Sequence, residues 1–490
     1  TLRTKSLTGN HSIQEREQAV QLLEEGKLDY LITVDIFNEG VDIPAVNQVV
    51  MMRQTKSSII FTQQLGRGLR KAAGKEHLIV IDFIGNYTNN YLIPIALFGD
   101  NSLSKDSIRK NLLDAKEAGV ISGVSSVNFD EISRKRIFDS IEKSKLDSMQ
   151  NLKRVFSDLE HRLGHIPQLI DFARFDTADP VVVSTKSINY WNFLVKIKKT
   201  NKSPSLGESA ILAFMSKELL NGKRPHELLL LKHLLQHKSI TRSEYKTILR
   251  SKYCTHDDET INSVSRVLDL TFFTEVQRKL YGNSPIVEMH DDTFHVSDQL
   301  SANYEYDYAF KAHLDDAIET GLYLARHKYG WPSSLKIGHR YSRKDVCRIL
   351  NWASNQEGTI FGYKVDFFSA SCPIFITYHK DEDVSHSTRY EDELLNSNTL
   401  KWFTRSRRTL GSKEVKSIIN NEVPQHLFAK KDDAEGLDFF YLGEVRSSNP
   451  VQTTMLDDHG HPLDVVTMHL NLEKPLTQSL YDYLTTPTIA

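Results

Sequence analysis

Two short stretches carry residue types that could touch a polyphosphate. The first is Asp35-Ile36-Phe37-Asn38-Glu39-Gly40-Val41-Asp42-Ile43-Pro44. Gly40 lets backbone approach a ligand closely, the Asp42 carboxylate can accept hydrogen bonds from ribose hydroxyls, and Pro44 fixes the exit of the turn. The second is Gln63-Gln64-Leu65-Gly66-Arg67-Gly68-Leu69-Arg70. It sets two guanidinium groups three residues apart at a helix end loosened by two glycines, so both can reach one polyphosphate. Taken singly, the first reads as a plain turn and the second as a solvated helix end. Their place in the chain gives them weight.

That place is set by the flanking elements. Buried-type strands are expected over 30–34, 46–52 and 77–83. A helix over 12–24 is expected to open with a capping box from Ser12 and Glu15. Another should follow Ser57 and Ser58, with Ile60, Phe61 and Leu65 at helical spacing. This alternation implies a parallel sheet with crossover helices. Both motifs then stand at the C-terminal ends of neighbouring strands, where open parallel sheets bind ligands. The sequence holds no G-x-x-x-x-G-K-[ST] phosphate loop. Gly74-Lys75 lacks the preceding glycine, and Tyr378, His379 and Lys380 break the apolar strand that should lead into the acid run Asp381-Glu382-Asp383.

The run ITVDIFNEGVDIPAV followed by QQLGRGLRK resembles motifs V and VI of superfamily-two helicases and translocases. LTGNHSIQERE resembles the element that precedes them in the second RecA-like domain. The resemblance covers roughly the first 85 residues. It implies that Gly40 and Asp42, with Glu39 beside them, contact the nucleotide, and that Gln63 faces the γ-phosphate. It also implies that Arg67 and Arg70 act as arginine fingers, whose charge stabilisation is worth about 10³–10⁵ in turnover in GTPases. Val34 stands where motif V commonly has a threonine, which puts one hydroxyl contact to nucleic acid in doubt. Thr1 begins in the middle of the pattern, so the chain is expected to be a fragment whose parent uses ATP and Mg²⁺. Without a phosphate loop and acid box it is expected to hold neither on its own; the missing N-terminal helicase domain would be a partner.

A length of 490 residues suggests about three domains. The 40% hydrophobic and 25% charged content is ordinary for globular chains and excludes wholesale disorder. Cys254, Cys347 and Cys372 lie far apart, which excludes a disulfide framework and a cysteine zinc site and fits a cytoplasmic setting. No apolar run reaches the roughly 18 residues of a membrane span, so no membrane partner is expected. The net charge of −2 hides a mildly basic stretch, 331–420, ahead of a tail, 421–490, with 4 Lys and Arg against 11 Asp and Glu. Any nucleic-acid surface must therefore be local. The pairs His161/His165 and His233/His237 lack a third ligand or an HExxH glutamate, so no metal site is expected.

The texture turns helical over about 100–330, with stretches over 104–118, 129–163, 209–220 and 224–237 and a soft joint near 199–207. From Trp331 it becomes strand-like, over 372–378, 437–445 and 463–472, with helices only over 343–352 and 412–420 and a hairpin turn over 457–462. The expected fold is a truncated RecA-like α/β sheet, an α-helical middle and a C-terminal β-rich α+β domain. The expected domains are 1–98, 99–200, 201–332 and 333–490. HRYSRKDVCRILNW, CPIFITYHK, RYEDELLNSNTLKWFTRSRRTL and FAKKDDAEGLDFFYLGEV resemble a bacterial domain of unknown function found behind superfamily-two helicases, often with a phospholipase-D-like nuclease domain as a further partner.

Within it, Lys401, Trp402, Arg405, Arg407 and Arg408 are candidate nucleic-acid contacts, since arginines beside an exposed aromatic can neutralise phosphates and stack a base. On a strand, Lys401, Phe403 and Arg405 would share one face and Trp402 and Thr404 the other. The competing reading makes Trp402 and Phe403 core and pairs the arginines with Glu391, Asp392 and Glu393. Helix 343–352 could open a helix-turn-helix or simply pack on the core. Glu414-Val415-Lys416 with Asp392 would suit a nuclease only on a buried strand. The expected function is thus the C-terminal part of an ATP-dependent helicase or translocase acting on duplex or single-stranded DNA, with restriction or phage defence as its setting. The alternative is a non-enzymatic interaction module.

Overall fold

Ser12 opens the first helix as expected. Its hydroxyl accepts the Glu15 amide while the Glu15 carboxylate takes the Ser12 amide, satisfying two otherwise orphaned donors ahead of Ile13–Glu24. The computed structural model describes residues 2–34, 43, 46–52, 75, 77–83, 89–118, 130–331, 334–378, 392–431, 435–456 and 461–485. The chain divides into two compact units, one of residues 1–101 and 105–145 and one of 102–104 and 146–490.

The first unit carries parallel pairs of short strands. β1 (Thr4–Leu7) pairs with β2 (Tyr30–Thr33), and β3 (Gln48–Met51) pairs with β4 (Ile79–Asp82). Helices follow at Leu92–Phe98, Lys105–Ala118 and Glu131–Lys143. The helix expected after Ser57 lies outside the described residues. The stretch read as one helix over 129–163 is two, because Ser144 ends the first and the Ser148 hydroxyl caps Met149–Leu163 by accepting the Asn151 amide.

The second unit begins as a helical assembly around the 20-residue helix Tyr308–His327. Gly321 in that helix explains how closely its neighbours approach. A Cβ there would meet Leu228 Cδ1 at 2.6 Å and the Leu219 carbonyl at 3.3 Å, so any larger residue requires the buried Leu228 side chain to shift. Leu206–Phe214 runs into a π-helical turn, Met215–Leu219, followed by His226–His237. A small antiparallel sheet interrupts the helices, with β5 (Ser239–Thr241), β6 (Val287–His290) and β7 (Thr293–Val296) in the order β5-β7-β6. The sequence reading missed it.

The C-terminal part is a seven-stranded mixed sheet. Its strands are β8 (Arg340–Ser342), β9 (Cys372–Thr377), β10 (Glu393–Asn396), β11 (Thr399–Phe403), β12 (Gln425–Lys430), β13 (Asp438–Leu456) and β14 (Pro462–Leu472). They run in the order β10-β11-β14-β13-β12-β9, and β8 adds to β13. Only β9 and β12 are parallel. Parallel strands, a helical middle and a β-rich α+β end are thus the architecture, as expected. The helix expected over 343–352 spans Arg343–Ile349 and packs on the core through Val346 and Cys347, with Trp352 buried just beyond.

One hydrophobic cluster runs from Leu152 to Tyr441 through both the helices and the sheet. A buried charge network crosses the same boundary. Lys223 Nζ lies 2.6 Å from Asp345 Oδ2 and 3.5 Å from Asp438 Oδ2. Arg224 forks onto Glu227 and donates to Ser263 Oγ and the Arg348 carbonyl, while Arg348 donates to the Glu218 carbonyl. The Glu218 carboxylate takes Lys344 at 2.6 Å and the Tyr281 hydroxyl. Burial opposes ionisation of Glu227 and Asp345. Arg224 and Arg348 nonetheless hold Glu227 below the usual carboxylate range, and Lys223 and Arg348 do the same for Asp345.

Arg224→Met strands the Glu227 carboxylate in the interior. A loss of about 3–5 kcal/mol in urea unfolding is expected, and a midpoint within error of the parent's would show that the network is not a stability element.

Candidate functional site

β2 ends at Thr33, just ahead of Asp35, whereas β3 ends at Met51, well before Gln63. Glu39, Gly40, Asp42, Gln63, Arg67 and Arg70 lie outside the described residues, as does the acid run 381–383. At their borders Val34 is exposed and Ile43 is buried.

The C-terminal cations are fully described. Strand β11 alternates as expected: Trp402 and Thr404 are buried, and Lys401, Phe403 and Arg405 are partly exposed. Trp402 is only 3% exposed and meets Tyr363 edge-on at 5.0 Å, so it is a core ring rather than a stacking surface. Among the described residues Arg405 and Arg408 pair with Glu414 rather than with Asp392 or Glu393. Asp392 instead accepts the Phe403 amide, and residue 391 lies outside the described residues. The anchor is Glu414, at the start of the helix Lys413–Ile419, whose Oε1 is 3.0 Å from Arg405 Nη2 and 2.5 Å from Arg408 Nε. Tyr363 adds its hydroxyl to the same oxygen at 3.1 Å. Burial opposes ionisation of Glu414, but hydrogen bonds from Arg408 and Arg405 hold its carboxyl below the usual range. Glu414 therefore sits on a helix as the counter-ion of two arginines, not on a buried strand as a nuclease acid. The Arg405 guanidinium lies 4.8 Å over the Tyr363 ring, Lys401 stacks on Phe403, and Arg407 is exposed.

A cavity of about 390 Å³ opens where the helices meet the sheet, lined among others by His226, Thr255, Asn351, His426, Tyr441 and Glu444. His226 Nε2 lies 2.9 Å from the Thr255 carbonyl, which requires the proton there, and the buried Nδ1 finds no partner. Burial, with Arg224 nearby, pushes the His226 imidazolium down to about 4. Burial alone does the same to His426, whose Nδ1 is 3.1 Å from the Tyr441 hydroxyl. Two neutral imidazoles thus face one cavity at neutral pH. Neither histidine was singled out from the sequence, because their proximity is tertiary. Among the described residues no three His, Cys, Asp or Glu side chains are grouped to hold a metal ion, and no helix is long and apolar enough to cross a membrane.

Comparison with known proteins gives the order of parts. Residues 1–72 match the helicase conserved C-terminal domain. Residues 152–329 and 335–484 match two domains of unknown function, DUF8090 and DUF3427. The chain therefore carries, in order, a match to the helicase conserved C-terminal domain and matches to those two domains. Among curated relatives, IRC3 of Saccharomyces cerevisiae, named for an ATP-dependent helicase, is 36% identical over 17% of this chain and 12% of its own length. The pre-mRNA-splicing ATP-dependent RNA helicase PRP28 of Yarrowia lipolytica is 34% identical over 19% of this chain and 16% of PRP28. UvrABC system protein B of Prochlorococcus marinus is 28% identical over 33% of this chain and 24% of that protein. The chain spans under a quarter of the length of these relatives. A solved structure of the sulfur binding domain and SRA domain of ScoMcrA, complexed with phosphorothioated DNA, covers 44% of this chain and 67% of its own at 8% identity, with a TM-score of 0.22. A likeness that slight carries no argument.

The buried imidazoles make the fold acid-sensitive. The unfolded chain takes up a proton at His426 as pH falls through about 6.5, whereas the folded chain does so only near about 4. Stability is therefore lost between those values, by about 3 kcal/mol in all. Asp316, its carboxyl pushed up to about 6 by burial, works the other way in the same window, so a variant isolates the effect. Between pH 7 and 4.5, His426→Phe should lose about 2 kcal/mol less stability than the parent in urea unfolding; equal losses would show that His426 is not buried neutral.

Proposed function

We propose that this chain supplies the nucleotide-coupling half and the C-terminal recognition region of an ATP-dependent DNA helicase or translocase. The reading is carried by the ordered pair of motifs, 32–46 and 63–71, inside the match to the helicase conserved C-terminal domain. Gly40 and Asp42, with Glu39 beside them, meet the nucleotide, and Gln63 faces the γ-phosphate. Arg67 and Arg70 point at the charge that develops on the transferring phosphoryl group, where a fixed guanidinium does most in a water-poor cleft. A second RecA-like domain brings the phosphate loop and acid box that hold ATP and Mg²⁺. Its closure on this one couples hydrolysis to movement along DNA. A nuclease domain in the parent and a restriction or phage-defence setting rest on the company of the C-terminal resemblance.

With that second domain present, Arg67→Ala or Arg70→Ala should cut DNA-stimulated ATP hydrolysis at least about a hundredfold while leaving the unfolding midpoint unchanged. Near-normal turnover would refute the finger roles.

A non-enzymatic protein-interaction module is the second reading, and one observation favours it: Trp402 is core, and Arg405 and Arg408 are already neutralised by Glu414. The two readings part in a DNA titration of the 490-residue chain at two salt concentrations. Contact with several phosphates gives affinity that falls steeply between about 50 and 200 mM salt, whereas the interaction module gives no binding at the lower value.

A further inference from the structure

The segment between the 3₁₀ turn Glu357–Thr359 and β9 carries apolar side chains that the fold does not bury. Phe361 is 67% exposed, Phe367 51% and Phe368 67%. The last two are not on a slack loop. They begin the tip of a tight turn whose flanks, Asp366 and Ser371, exchange both backbone hydrogen bonds, at 2.8 and 3.1 Å. The Asp366 carboxylate takes the Ser369 amide at 2.9 Å, and Ser371 Oγ accepts the indole N–H of the buried Trp352, also at 2.9 Å. Two adjacent phenyl rings are thus held out on a rigid support anchored in the core, at little further entropy cost on binding.

Each ring has a cation against it. Lys413 Nζ lies 4.4 Å from the Phe367 centroid, and the Arg266 guanidinium lies 5.5 Å from that of Phe368. Neither cation makes an ion pair with a carboxylate among the described residues, although Asp269 bears on Arg266 electrostatically. Arg266 is held instead through the Asn351 and Trp352 carbonyls. Lys413 adjoins Glu414, and through it the surface continues to Arg405, Arg408 and the exposed Arg407.

We propose that the Phe367–Phe368 tip, with Lys413 and Arg266, is a docking site for a single-stranded segment of nucleic acid, whose bases stack on the phenyl rings while its phosphates meet the cations. Polynucleotides present flat π faces and phosphates in alternation, which matches rings and cations set side by side. In a duplex the base faces are hidden by stacking. A membrane tip would keep its cations behind the inserted rings, whereas here they lie against them. The proposal rests on the nucleic-acid reading above and assigns it a surface that neither the helicase motifs nor the Trp402 cluster supplies.

Binding of a fluorescein-labelled thymidine oligonucleotide to the full chain, read by anisotropy, tests it. Phe367→Ala with Phe368→Ala should weaken affinity about tenfold or more without changing its salt dependence, because the rings carry no charge. Lys413→Gln should lower the salt slope by about one. Phe367→Trp with Phe368→Trp should keep the affinity, and tryptophan fluorescence should be quenched on binding. If the parent binds DNA and the double alanine variant binds it equally, or if duplex binds with the same dependence on the rings, the site is refuted while the DNA reading stands. If the parent ignores DNA but sediments with phosphatidylserine vesicles, and the alanine variant does not, both fall in favour of a lipid surface.

Discussion

The second unit depends on charges that cannot be left alone in the interior. Lys223, Arg224, Glu227, Asp345, Arg348 and Glu218 are all largely withdrawn from water, and each is acceptable only because the others are present. Such a network adds little net stability over an apolar core, but its geometry admits few alternatives. It fixes the helix Arg343–Ile349 against the π-helical turn and the start of His226–His237. That helix delivers Trp352, whose indole N–H pins Ser371. From Ser371 the chain turns into β9 on one side and into the Phe367–Phe368 tip on the other. Rigidity at an exposed recognition surface thus traces back to buried electrostatics in the helical part.

The same view reassigns the acidic tail. Part of its excess of Asp and Glu is spent internally. Asp438 sits beside Lys223, and Glu435 accepts the Tyr483 hydroxyl near Arg340. Glu444 and Glu473 line the cavity. What the rest of the surface presents is set by which cations have partners, not by the sum over the chain. A local basic strip is compatible with a net charge of −2 because the interior consumes carboxylates from the tail.

Much of the architecture was legible because it rests on local rules. Ser12 and Glu15 declared a helix start, the apolar runs near 30, 48 and 79 declared strands, and alternation around Trp402 sorted its neighbours onto two faces while leaving open which one is buried. The small antiparallel sheet could have been read too. Val287–His290 and Thr293–Val296 flank Asp291-Asp292, and both aspartates adopt positive φ, the signature of a tight hairpin turn; the surrounding helical texture hid it. The candidate site was less legible. Nothing local distinguishes Glu414 from Glu391 or Glu393 as the partner of Arg405, because the choice is made by where the helix Lys413–Ile419 packs. The Phe367–Phe368 pair was not singled out: it lies ahead of the strand expected over 372–378, and it is the turn closed by Asp366 and Ser371 that holds it out.

Pairing also ranks the cations for function. A guanidinium already forked onto a carboxylate offers a phosphate little, since binding must first displace or share the existing partner. Arg405 and Arg408 are in that position, with Glu414 between them. Lys413, Arg407 and Arg266 are not, and counterion release on phosphate contact is open to them at no such cost. Two of the arginines the sequence singled out in this domain, Arg405 and Arg408, thus organise the surface, while Arg407, Lys413 and Arg266 are left to meet an anion. Glu414 is the hinge of that division: it holds Arg405 over Tyr363 and takes Arg408 as well, while Lys413, its neighbour in the chain, lies against the exposed ring of Phe367.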